Sequence, residues 1–194
     1  MKVAICGLTA SGKSYHAKRI ATEFGLEYVS GSDVLVEVAG IKPRGEHFWI
    51  NEFGKQFIEH RSSKSSIDRL ADELILKEAE NGKDVVFDSW TLPWLYGSDD
   101  LYKIYLNASL EARAKMAYNS REQKPYSLSD IKERIRIKDE TSARIFRELH
   151  GIDIFYYSIF DLVVDNSNLS PANTSEILIR AVIQHFRLLP PLPF

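Results

Sequence analysis

The chain has 194 residues and a formal net charge of −2. That length builds one domain with a full core, and the charge excludes a basic excess that would draw the whole molecule to nucleic acid or anionic lipid. Cys6 is the single cysteine, so an intramolecular disulfide is excluded and a reducing compartment fits. No apolar run approaches the roughly 18 residues that span a bilayer, and residues 1–6 run into a loop too soon for a signal peptide. A cytoplasmic protein with no membrane or nucleic-acid partner is expected.

Residues 3–6 form the first of five short apolar runs; the others are 27–30, 85–88, 102–106 and 162–165. Rich in Val, Ile, Tyr and Phe and hardly alternating, they suit strands buried on both faces of a parallel sheet. Helical patterns separate them. Ala17, Ile20, Ala21 and Phe24 make a stripe ended by Gly25 as C-cap. Residues 41–66 are polar and irregular and are expected to hold an inserted helical segment. Ile67, Leu70, Leu74 and Leu76 mark a helix that stops near Asn81-Gly82. The charged stretch 130–149 carries Ile131, Ile135, Ile145, Phe146 and Leu149. A last helix opens at Ser170-Pro171, serine as N-cap and proline in the first turn, and buries Ile177, Leu178, Ala181 and Val182. Three prolines keep the tail 188–194 out of a helix. This alternation predicts one α/β domain over 1–187.

The residues with the clearest chemistry are Gly7-Leu-Thr-Ala-Ser-Gly-Lys-Ser14, a full G-x-x-x-x-G-K-[ST] match between an expected strand and an expected helix. Gly7 and Gly12 let the backbone bend around a phosphate, with Thr9, Ala10 and Ser11 offering N–H groups. The positive end of the next helix faces the anion. Lys13 is placed to reach β- and γ-phosphates, and the Ser14 hydroxyl to ligate Mg²⁺. The pattern therefore predicts ATP and Mg²⁺ as cofactors. Asp88, closing the run 84–88, is expected beside this loop, holding the metal or orienting an acceptor. Asp33 ends the shorter run 29–33 on the same sheet edge, either contacting the acceptor or capping a helix over 34–39. The histidines (16, 47, 60, 150 and 185) show no metal-ligand spacing.

Beyond the loop, the chain resembles the nucleoside monophosphate kinases, and more narrowly the archaeal-type cytidylate kinases. The likeness is carried by Tyr28-Val-Ser-Gly-Ser-Asp-Val-Leu35, Ile67-Asp-Arg-Leu-Ala-Asp72, residues 101–113, His150-Gly-Ile-Asp-Ile154, Ser158-Ile-Phe-Asp-Leu-Val-Val-Asp165 and Ser170-Pro171. It is poorest over 40–66. It implies a three-layer α/β/α P-loop fold with a five-stranded parallel sheet, an acceptor-binding helical insert (about 34–80) and a lid (about 114–145). The implied reaction joins ATP and a pyrimidine nucleoside monophosphate, CMP or dCMP. Arg113 would then serve the nucleotide, Arg121, Arg134 and Arg136 the transferred phosphoryl group, and Asp33, Arg69, Asp72, Trp90 and Arg144 the acceptor. Forked arginines suit such oxygens, although charge this dense in 132–148 also suits a solvated helix face.

Two departures stand out. The family places arginines for the acceptor's phosphate at the positions held here by Val36 and Trp90, and neither side chain can replace a cation. Either Arg44, Arg61 or Arg69 has taken over, or the acceptor is a nucleoside, sugar or other hydroxyl compound, with Trp90 and Trp94 as a stacking wall or simply as core. A nucleotide-binding regulatory protein without kinase turnover is the third reading.

Overall fold

The computed structural model describes residues 1–41, 48–63, 66–120 and 126–187. Five strands form one sheet: β1 (Lys2–Gly7), β2 (Glu27–Ser30), β3 (Val85–Asp88), β4 (Leu101–Asn107) and β5 (Leu162–Asp165), in the order β2-β3-β1-β4-β5. All pairings are parallel. The near-continuous apolar runs of β1, β3 and β4 thus have their physical cause, because helices cover both faces there. Val3, Ile5, Val86, Ile104 and Leu106 face α1 (Lys13–Phe24) and α8 (Pro171–His185) through Ala17, Ile20, Leu178 and Val182. Ala4, Val85 and Phe87 face the opposite layer, where α4 (Ser66–Asn81) buries Ile75 and Ala79, and α5 (Leu92–Leu95) buries Leu92.

Between β2 and β3 the chain makes α2 (Gly31–Val38), a 3-10 turn (Phe48–Ile50), α3 (Glu52–Ser63) and α4. Leu35, Val36, Phe48, Phe57 and Ala71 form a small core of their own there. Arg61 of α3 and Asp68 of α4, each 2% exposed, make a buried ion pair that ties these two helices. Asp33 is not the cap of α2. Ser30 Oγ accepts the Asp33 N–H at 3.2 Å, which starts the helix three residues earlier and puts Asp33 in its first turn, where an anion suits the dipole.

After β4, α6 (Leu110–Asn119) and α7 (Leu128–His150) pack together through Ala114, Ala117, Ile131 and Ile135. α7 opens with a reciprocal capping box between Ser127 and Asp130 and ends at Gly151 in the left-handed conformation. Its far half buries Ala143, Ile145 and Phe146 against Trp90 and Trp94. Ser170 caps α8 with Pro171 at its first position. The tail 188–194 lies outside the described residues.

Candidate active site

The sheet order puts β3 and β4 on either side of β1, so the loop after β1 leaves the carboxyl edge between two neighbours, where open α/β sheets bind ligands. Gly7 has to be glycine: its φ is +147°, and a Cβ there would lie 2.4 Å from the Leu106 carbonyl oxygen. Ala10 and Gly12 adopt φ of 62° and 90°, and this curls the chain before α1. A non-glycine residue held left-handed is local strain of the kind found at ligand clamps. The loop carries two further costs. Ser11 Oγ and Asn166 Oδ1 are buried with no hydrogen-bond partner among the described residues, although Asn166 Nδ2 donates to the Ser11 carbonyl at 2.9 Å.

Lys13, 8% exposed, donates to the Leu8 carbonyl at 2.8 Å, curled back over the loop. Burial lowers its pKa, while Asp88 opposes that shift. Ile5 pairs with Asp88 across β1 and β3, so the carboxylate arrives beside α1 as the sequence predicted. There the Ser14 hydroxyl donates to Asp88 Oδ2 at 2.5 Å, and Tyr28 reaches the same oxygen at 3.4 Å. Burial, seconded by the Asp88 charge, pushes the Tyr28 phenol up, so it stays a neutral donor. Two hard oxygens at the mouth of a phosphate loop are the donor set Mg²⁺ prefers, and its remaining sites would take water and phosphate.

Thr9 is held on every side. Its N–H donates to Asp139 Oδ1 at 3.1 Å, its carbonyl accepts from Arg113 Nη1 at 2.8 Å, and its hydroxyl accepts from Lys138 Nζ at 3.1 Å. Arg113 also donates to Ala108 O at 3.1 Å and to Asp139 Oδ2 at 2.6 Å. Arg113, expected at the nucleotide, spends these bonds on backbone carbonyls and on Asp139. It is a 4% exposed strut beneath the loop, neutralised by Asp139.

Lys138 and Asp139 are the residues the sequence reading missed. They sit in a crowded charge run that resembles a solvated face. The available signal was phase: Ile131, Ile135, Lys138, Ser142 and Ile145 fall at helical spacing on the buried stripe of α7. The Lys138 ammonium lies 4.5 Å from the Trp49 ring centroid and 5.0 Å from that of Trp90. Lys13 Nζ is 5.4 Å from the Trp90 ring. Trp90 is therefore half-buried against Phe146 and beside two cations, and Trp94 packs edge-on to Phe160.

The other expected residues scatter. Arg136, expected at the phosphoryl group, pairs at the surface with Glu133 and Glu140 at 2.6 Å each. Arg134 reaches Glu52 at 3.2 Å and stacks over Tyr126. Arg144 and Arg69 are exposed on α7 and α4, and Asp33 is exposed on α2. Asp72, 8% exposed, accepts from Thr91 at 2.5 Å and meets His150 Nε2 at 2.8 Å. Burial raises its pKa. Val36 is 4% exposed within the small core, and Arg61 is consumed by Asp68. Arg121 and Arg44 lie outside the described residues.

Comparison with known proteins bears on the fold and the family. Solved shikimate kinases share the fold: that of Bacteroides thetaiotaomicron superposes with a TM-score of 0.60 at 11% identity, covering 96% of this chain and 98% of that one. A deoxyadenosine kinase from M. mycoides gives 0.54 at 16% identity, covering 95% and 100%. A cytidylate kinase of Sulfurisphaera tokodaii is 32% identical over 178 residues, 92% of this chain and 93% of that protein. One of Pyrobaculum aerophilum is 34% identical over 171 residues, 87% and 85%. The profile of the cytidylate kinase-like family matches residues 2–168. With a phosphate loop built as described and likeness along nearly the whole length, this chain belongs to the cytidylate kinase-like family.

Proposed function

We propose that this protein transfers the γ-phosphoryl group of ATP to a pyrimidine nucleoside monophosphate, CMP or dCMP. The observation that carries the reading is the convergence of Lys13, Ser14 and Asp88 at the mouth of a strained loop. Names borne by relatives supply the acceptor class. On this reading the loop N–H groups and the α1 N-terminus hold the triphosphate. Lys13 leaves the Leu8 carbonyl for the β- and γ-oxygens. Ser14 and Asp88 are the residues that would hold Mg²⁺, which would supply charge neutralisation at the phosphates. The protein does little covalent work: it aligns two anions and offsets their repulsion. The helices α2–α4 serve as the acceptor side, and α6–α7 as the lid side.

The test is ADP release at saturating Mg·ATP over CMP, dCMP, UMP, AMP and the corresponding nucleosides. Turnover with CMP or dCMP is expected. A second reading has a specific observation behind it: Val36 is core and Trp90 is apolar, so an acceptor without a phosphate fits those two positions. Turnover with nucleosides or sugars and none with monophosphates would replace the first reading by the second. ATP binding without turnover on any acceptor would leave a nucleotide-binding regulator.

A further inference from the structure

Among the described residues, the buried cations Lys2, Arg61 and Arg113 each hold a carboxylate, whereas Lys13 and Lys138 hold none within ion-pair distance. A lone buried ammonium is costly, and two that share one tryptophan ring repel each other as well. The ammoniums sit together because something anionic belongs beside them. Lys13 is committed to the donor's phosphates by its place in the loop. Lys138 is offset towards Trp49, which comes from the 3-10 turn after α2, and towards Trp90, which follows β3. Those two walls belong to the side from which an acceptor would enter.

We propose that Lys138 is the ligand of the acceptor's phosphate, held in place by the faces of Trp49 and Trp90. The inference rests on the monophosphate reading above and deepens it. Aromatic faces attract the ammonium without offering it a counter-charge, so its N–H donors stay available to an anion. Thr9 Oγ1 takes one of them and sets its height above the loop. Three features then act together: the cation is fixed, water is displaced by two indoles, and Lys13 stands on the donor side. This also accounts for Trp90 at a position where a cation would be expected, because the ring carries the charge from α7 in place of bearing one itself.

The arrangement has a protonic consequence. Burial, then repulsion from Lys13, lowers the Lys138 pKa to about 7. The charged groups facing it are Lys13 of α1, Arg61 of α3, Asp88 of β3 and its own neighbour Asp139. A bound phosphate restores the charge, so acceptor binding should take up a proton above about pH 7 and weaken as the pH rises further.

The experiment is calorimetric titration of CMP and of cytidine into the full chain, wild type, Lys138→Met and Lys138→Arg, in buffers of differing ionisation enthalpy, alongside steady-state kinetics. Lys138→Met should weaken CMP by about tenfold to a hundredfold, the loss of one charged hydrogen bond. Cytidine affinity and the KM for ATP should stay at wild-type values. Lys138→Arg should keep CMP binding but lose proton uptake, since a guanidinium does not titrate there. Lys138→Met should melt no lower than wild type, because a thioether replaces a buried ammonium. Unchanged CMP affinity in Lys138→Met, or a loss confined to ATP, overturns the assignment. A wild-type protein that turns over no pyrimidine monophosphate overturns the functional reading, and the inference falls with it.

Discussion

Asp139→Asn is a near-isosteric change with a large expected effect, because the two carboxylate oxygens do different things. Oδ1 takes the Thr9 N–H at 3.1 Å and Oδ2 takes Arg113 Nη1 at 2.6 Å, with both partners of the ion pair 6% exposed or less. An asparagine has one oxygen. If it stays with Thr9, its NH2 faces the Arg113 N–H, donor against donor, and a guanidinium is left buried without an anion. Breaking one partner of such a pair costs about 3–5 kcal/mol, and the retained Thr9 bond argues for the lower end. At roughly 2–4 °C per kcal/mol for a chain of this size, the melting temperature should fall by about 6–12 °C. Scanning calorimetry without nucleotide measures it. The double variant Arg113→Met with Asp139→Leu removes both charges and should recover most of that loss, yet leave the KM for ATP raised, since the Thr9 peptide has lost both its anchors. Wild-type melting in Asp139→Asn, or a double variant no more stable than the single, would refute the idea that this pair fixes the loop.

Lys13→Ala should reduce turnover by at least about a hundredfold, as expected for one electrostatic contact that strengthens in the transition state; near-normal kcat would remove Lys13 from the chemistry. Arg136→Ala should leave both the melting temperature and turnover at wild-type values, because its partners Glu133 and Glu140 are exposed neighbours on the same helix. A loss of turnover there would support the role expected for Arg136 at the phosphoryl group. His16 is buried against Ser175 at 3.0 Å, and burial lowers its pKa to about 4. The unfolded chain binds that proton near pH 6.5 and the folded one only near 4. Stability should therefore fall as pH drops from about 6.5 to 4, by at most about 3 kcal/mol. Denaturant melts of wild type and His16→Gln across that range check the sign.

How far the sequence disclosed all this depends on which signal each element used. The central strands were legible because a sheet covered on both faces leaves no polar alternation to confuse the pattern, and the partly exposed edge runs became strands as well. The phosphate loop was legible because its spacing is set by the ligand's geometry: Gly7 is dictated by a carbonyl 2.4 Å from the missing Cβ. Caps were mixed. Ser170-Pro171 declared itself, whereas Ser30 outcompeted Asp33 by three residues, since either can cap and only the path of the chain decides between them. The fate of Arg113 was not legible at all. An arginine near a nucleotide site and an arginine bracing the loop from below look the same until Asp139 is seen opposite it.

Lys138 shows why charge counting failed where helical phase would have succeeded. α7 carries cations and anions on most of its turns, and on composition alone they resemble one solvated surface. Yet the helix presents at once a salt-bridged outer face, Glu133, Arg136 and Glu140, and a stripe two residues out of phase from Ile131 through Lys138 to Ile145. The outer charges find one another at i,i+3 and i,i+4, where such pairs contribute little. The inner pair cannot do so, because each member points into the protein. Asp139 is neutralised from α6 by Arg113, and Lys138 reaches the loop hydroxyl and two indoles. A lysine on the apolar stripe of an otherwise amphipathic helix is costly to keep, and a hydrophobic residue of similar length would pack there without that cost. Its presence therefore argues for an anion brought in from outside, and the family's phosphate-transfer chemistry supplies a candidate of the right charge.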